Sequence, residues 1–183
     1  MPPPHCCNNQ FDFTFVCPTE LVAFSEAVSE FAAINTAVLG ISCDSHHTHL
    51  AWTNTDRSNG GVGKLAYPLV ADISKRIARD YGVLVTDEAD GMYGAALRGL
   101  FIIDPKGVVR TVQINDDAVG RSVDETMRLV KAYQHAEAHG TVCPANWKPG
   151  ESDMKPNPEG SKEFFNHGVP RRPASNYLVT VSI

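Results

Sequence analysis

Cys17 is the residue whose surroundings point most directly to chemistry. It closes the aromatic, β-prone run Asp12-Phe13-Thr14-Phe15-Val16, and Pro18 follows it. Leu21, Phe24, Val28, Phe31 and Ile34 then recur at helical spacing. Proline suits the first helical position, where its missing N–H costs nothing. The sulfur therefore falls at a helix N-terminus, where unpaired N–H groups and the positive end of the dipole favour an anion. A thiolate is such an anion, so the spacing predicts a reactive sulfur. Residue type alone favours a buried, inert cysteine; the helix start argues for reactivity.

Other chemistry-bearing residues are fewer than they look. Cys143 stands in a second Val-Cys-Pro, Val142-Cys143-Pro144, within a stretch dominated by proline and glycine. Arg98 is a permanent cation just ahead of the apolar run Leu100-Phe101-Ile102-Ile103, where a plain surface charge at a strand end is the alternative. His5-Cys6-Cys7 are contiguous, and contiguous ligand types lack the spacing of a tetrahedral metal site. His46 and His49 are three apart with no carboxylate nearby in sequence, which favours a solvated helix face over a metal. Gly60-Gly61-Val62-Gly63 follows no strand and opens no helix, so it is no phosphate or dinucleotide motif. Cys43, at a strand end, reads as structural. No metal or cofactor is expected.

The elements that must position these groups follow from period and punctuation. Thr36 to Ser42 and Tyr67 to Asp72 read as short strands, and Ile73 to Tyr81 as a helix ended by Gly82. Leu97 to Asn115 is a hairpin turning on Asp104-Pro105-Lys106-Gly107. Ser122 to Glu125 is a capping box for a helix reaching His139, with Gly140 as terminator. Strands alternating with helices imply an α/β domain. The 183 residues, 43% of them hydrophobic, suffice for one well-filled core. A net charge of −5 argues against nucleic acid as a partner. No apolar run reaches membrane-spanning length and Met1 to His5 is no signal peptide, so a cytoplasmic, reducing location is expected. Five cysteines, an odd number at low density, favour thiols over staples.

At this point the sequence resembles the typical 2-Cys peroxiredoxins. The resemblance is carried by Asp12 to Glu20, His49-Leu50-Ala51-Trp52, Gly60 to Gly63, Arg98 to Asp104, Gly120 to Glu125, and Val142 to Gly150, in family order. It covers residues 11 to 165 or so. It implies a thioredoxin-like fold of the peroxiredoxin type, a central mixed sheet flanked by helices. It implies a thiol-dependent peroxidase acting on hydrogen peroxide and organic hydroperoxides. Cys17 matches the peroxidatic cysteine, which becomes a sulfenic acid. Thr14 matches the threonine that orients sulfur and peroxide, and Arg98 the arginine that stabilises the thiolate. Glu20 and Arg121 match the pair that holds Arg98. Cys143 matches the resolving cysteine, which forms a disulfide with the partner subunit's peroxidatic cysteine. Thioredoxin or a similar dithiol protein reduces that disulfide. The family assembles as a homodimer, with a decamer as the larger form open to it.

The departures carry expectations of their own. Gln10 stands where the family has a proline, and Phe164-Phe165 where many eukaryotic members have Tyr-Phe. Ala89 to Tyr93 look like an insertion. Met1 to Gln10 read as a disordered segment, so the domain, 11–140, is expected to lack its N-terminal strands and to leave a sheet edge open. An arm with the resolving cysteine spans 141–166, and 167–183 match nothing in the family. A truncated, catalytically weak relative acting as a redox-sensitive binding or holdase-like protein is the alternative to a working peroxidase.

Overall fold

The β-prone segments pair into one five-stranded sheet in the computed structural model, which describes the backbone of residues 4–8 and all of residues 11–166. The strands are β1 (Pro4–Asn8), β2 (Ala37–Ser42), β3 (Leu69–Ala71), β4 (Arg98–Ile103) and β5 (Val109–Asn115), in the spatial order β3-β2-β1-β4-β5. β1, β2 and β3 run parallel, while β4 is antiparallel to β1 and β5 antiparallel to β4. The helices are α1 (Cys17–Glu26), α2 (Val28–Ala33), α3 (His46–Asn54), α4 (Arg76–Asp80), α5 (Val123–His139) and α6 (Pro158–Asn166). α2 packs on β2 and α3 on β3.

The expectation of a disordered N-terminus and missing strands is corrected here. Pro4–Asn8 occupies the middle of the sheet, with His5 in register with Val38 on one side and Cys6 with Phe101 on the other. The physical reason lies in its neighbours. A central strand is held by backbone bonds on both edges, so a short segment without side-chain periodicity pairs once β2 and β4 present theirs. Proline at its first position costs little, since Pro is tolerated where a strand begins. The edge expected beside β2 and β4 is therefore filled. Gln10 and residues 167–183 lie outside the described residues.

The hairpin forms as its sequence dictates. The Gly107 N–H donates to the Asp104 carbonyl at 2.9 Å, and Gly107 takes φ +82°, which an L side chain rarely adopts. β4 is buried along its whole length, and β5, at the sheet's end, alternates towards solvent. Ile41, Cys43, Ala78, Val83, Ala96, Phe101 and Ile103 form one buried cluster. Burial, with the Asp72 charge behind it, pushes the Cys43 thiol up and so disfavours its thiolate. The chain divides into two compact units, Met1–Val130 and Lys131–Ile183.

Candidate active site

α1 begins at Cys17, as the Val-Cys-Pro spacing predicts, with proline in its first turn. The Val16 carbonyl accepts from the Thr19 N–H at 3.0 Å and the Glu20 N–H at 3.4 Å, which starts the helical ladder. Cys17 is only 1% exposed. What faces it is a charge from another part of the chain. Arg98, the first residue of β4, is 2% exposed, and its Nη1 donates to Cys17 Sγ at 3.3 Å. The same Nη1 donates to Glu20 Oε2 at 2.5 Å, and Nη2 donates to the Asp117 carbonyl at 3.0 Å.

Glu20 sits three residues beyond the cysteine, on the same helix, and is gripped from the far side by Arg121. Arg121 Nε donates to Oε1 at 2.8 Å and Nη2 to Oε2 at 3.1 Å, and the Arg121 backbone N–H donates to Oε1 at 2.5 Å. Its Nη1 donates to the Gly99 carbonyl, next in chain to Arg98. Burial raises the Glu20 carboxyl, but the Arg121 hydrogen bonds and charge, joined by the Arg98 charge, outweigh it and hold the group below the usual carboxylate range. Two buried guanidiniums thus face one carboxylate. The Cys17 sulfur is the further group that one of them, Arg98, touches. The structure brings Arg98, Glu20 and Arg121 together with Cys17.

Thr14 lies on the turn that leads into α1, half-buried, and its hydroxyl donates to the Phe11 carbonyl at 3.0 Å. Phe13 before it has φ +58°, a strained conformation for an aromatic residue. The support for that turn went unseen at the level of sequence. Asp12 Oδ2 lies 2.6 Å from His49 Nδ1, the Ser42 hydroxyl donates to Asp12 Oδ1 at 3.2 Å, and the Asp12 N–H donates to Asp44 Oδ2 at 2.7 Å. His49 is therefore no solvated histidine: it is 5% exposed, and its carboxylate partner lies 37 residues away. Burial pushes the Asp12 carboxyl up, against the pull of His49 and with a push from Asp44. A signal was available. Ser45 caps α3, so His49 and Trp52 share a face, and a tryptophan there marks that face as inward.

Cys143 belongs to the second unit, where it is half-buried, and its Sγ donates to the Ala132 carbonyl at 3.5 Å. Cys17, Cys43 and Cys143 are all free thiols. Among the described residues no group of three or more His, Cys, Asp or Glu is placed to hold a metal ion. No helix among them is long and apolar enough to cross a membrane.

Comparison with known proteins agrees with this geometry. Residues 9–112 match the AhpC/TSA family, and residues 132–167 match the C-terminal domain of 1-Cys peroxiredoxin. A mitochondrial thioredoxin-dependent peroxide reductase of Drosophila melanogaster is 58% identical over 160 residues, covering 86% of this chain. Peroxiredoxin-2 of Macaca fascicularis is 57% identical, covering 85% of this chain and 76% of the relative. The crystal structure of a reduced 2-Cys peroxiredoxin from Plasmodium vivax superposes with a TM-score of 0.84 at 42% identity, covering 89% of this chain and 81% of the other. The chain spans 66% of the fly relative's length and 58% of that of the human protein of the same name. Both of these relatives are named as mitochondrial, which corrects the expectation of a cytoplasmic location. A match running from residue 9 to residue 112, around a buried cysteine that an arginine reaches from another strand, places this chain in the AhpC/TSA family, among the typical 2-Cys peroxiredoxins.

Proposed function

We propose that this chain is a thioredoxin-dependent peroxidase that reduces hydrogen peroxide and organic hydroperoxides at Cys17. The observation that carries the reading is the Arg98 Nη1 contact to Cys17 Sγ at 3.3 Å, inside a site closed to solvent. A guanidinium so placed favours the thiolate over the thiol, and in a buried site the gain is larger than in water. The thiolate attacks the terminal peroxide oxygen. An S–O bond forms, the O–O bond breaks, and the departing oxygen takes a proton to leave as water or an alcohol. Donors aimed at that departing oxygen lower the barrier most, and Arg98 is assigned to this part. The Thr14 hydroxyl, whose proton goes to the Phe11 carbonyl, is left to accept from the peroxide and orient it.

The product is a Cys17 sulfenic acid. The Cys143 thiol of the partner subunit then attacks its sulfur, forming the S–S bond and releasing water. A dithiol such as thioredoxin restores both cysteines by exchange through a mixed disulfide. Glu20 and Arg121 serve as positioning residues for Arg98. The homodimer that this needs is supported by β5, a terminal strand with Val109, Val112 and Ile114 exposed, since such an edge invites pairing with another chain. A mitochondrial location is supported by the relatives' names.

Peroxide consumption coupled to thioredoxin and its reductase tests the reading. Rapid turnover lost in Cys17→Ser is expected. In Cys143→Ser, the first oxidation of Cys17 persists while cycling stops. A folded wild-type chain without turnover, or a Cys143→Ser protein that cycles normally, refutes the corresponding role.

A further inference from the structure

The loop that carries Cys143 is tied down by a cluster of side chains that the reaction above does not use. His135, on α5, places Nε2 2.6 Å from Asp153 Oδ2, and the Thr141 hydroxyl donates to the same oxygen at 2.8 Å. Beside them Val142 and Met154 exchange backbone bonds: the Val142 N–H donates to the Met154 carbonyl at 2.9 Å, and the Met154 N–H to the Val142 carbonyl at 3.0 Å. Cys143 follows directly on Val142, with its thiol turned to the Ala132 carbonyl of α5. His139, one turn further along α5, stacks on the His135 ring at 4.1 Å, and the ring of the buried Trp147 lies 4.6 Å from it. The titratable groups facing His135 are thus Asp153 from the loop and His139 from its own helix.

We propose that His135 and Asp153 are positioning residues for the resolving step, holding the loop of Cys143 shut so that opening their contact governs how fast its thiol becomes available. The proposal rests on the resolving role assigned to Cys143 above. To attack the Cys17 sulfenic acid, Cys143 must give up its bond to the Ala132 carbonyl and lose its proton. The S–S bond then forms, the S–O bond breaks, and the oxygen leaves with that proton as water. Each of these steps waits on a thiol that the closed loop keeps directed at its own helix.

The contact is built to respond to pH. Hydrogen bonds from His135 and then Thr141 hold the Asp153 carboxyl below its usual range. That contribution is full above the ordinary carboxylate value and is lost as pH falls through the depressed one. Closure is therefore firm at neutral pH and weakens on the acid side. While the loop stays closed, a longer-lived sulfenic acid meets a second peroxide more often and goes on to sulfinic acid, with water as the other product.

The test uses the full chain with His135→Phe, which keeps a ring against Trp147, and with Asp153→Asn, which keeps the side-chain shape. After one equivalent of hydrogen peroxide, quenched by alkylation, the Cys17–Cys143 disulfide is timed by mass spectrometry. Both variants should form it about two- to fivefold faster than wild type at about pH 7, the size of one half-exposed ion pair. Equal or slower rates in the variants overturn the proposal. Should the wild-type chain oxidise Cys17 yet form no such disulfide, the resolving role itself falls. Closure is then judged by hydrogen exchange at the Val142 and Met154 amides of the reduced protein. Exchange raised by the same factor in both variants upholds the tie, and unchanged exchange removes it.

Discussion

A buried guanidinium that touches a sulfur, a carboxylate and a carbonyl at once has no substitute among the other cations. Arg98 does this with Cys17, Glu20 and the Asp117 carbonyl. A lysine ammonium is a point charge without the planar fork, so it cannot hold all three directions together. Arg98→Lys should therefore lower the rate of Cys17 oxidation by about 10²- to 10³-fold, the size seen when one oxyanion donor is lost, with the fold intact. Single-turnover oxidation and circular dichroism check it. Glu20 sets an acid limit of its own. Its carboxyl is held below the usual value, so its stabilisation is full above pH 4.5 or so and is lost as pH falls through the depressed value. Asp12, pushed up by burial, acts with the opposite sign: what it contributes is present at low pH and fades as pH rises through its raised value. Glu20→Gln leaves two buried guanidiniums without their counter-ion and should cost about 3–5 kcal/mol at neutral pH. It should also remove the Glu20 part of the acid-side decline. Denaturant unfolding at neutral and at acid pH reads both.

At the scale of elements, the site depends on a turn and a helix start that are held from below. The strained Phe13 is flanked by Asp12, whose carboxylate is clamped by His49 from α3 and by Ser42 from the end of β2. Strain of this kind costs about 1–3 kcal/mol and persists only when neighbouring contacts enforce it. Asp12→Asn removes the charge and half the acceptors while keeping the shape. It should cost about 1–3 kcal/mol of stability, because the buried Ser42 and His49 groups lose a partner. It should also slow Cys17 oxidation about 10- to 100-fold, because Thr14 and the cysteine are no longer held to one geometry. Thermal unfolding and single-turnover kinetics separate the two effects. Loss of stability with an unchanged oxidation rate would mean that the clamp supports the fold and not the site.

At the scale of the molecule, the sheet order explains why the strand at residues 4–8 matters to the site. β1 separates β2 from β4, and β4 begins with Arg98. Deleting residues 1–8 leaves two strands with unpaired edges in the middle of the sheet, where backbone N–H and C=O groups have no water to replace their partners. The shortened chain should aggregate or remain unfolded. Gel filtration and far-ultraviolet circular dichroism would show a soluble, folded product if the strand were dispensable. β5 at the sheet's end is the opposite case, an exposed edge whose apolar side chains suit a second copy.

By itself the sequence determined what local rules decide. Val16-Cys17-Pro18 is a helix start because proline and the apolar period say so, and α1 begins there. Asp104 to Gly107 is a turn for equally local reasons, and the β4–β5 pairing follows from it. Arg98, Glu20 and Arg121 were legible only through resemblance to a family, since nothing in their own surroundings ties them to a sulfur. Only the tertiary structure decided the rest. Cys17 and Arg98 are 81 residues apart, Glu20 and Arg121 101 apart, and Asp12 and His49 37 apart. Side chains so distant meet because the sheet brings their strands together. The same holds for β1, whose residues carry no strand period of their own and which is a strand because two neighbours offer it hydrogen bonds.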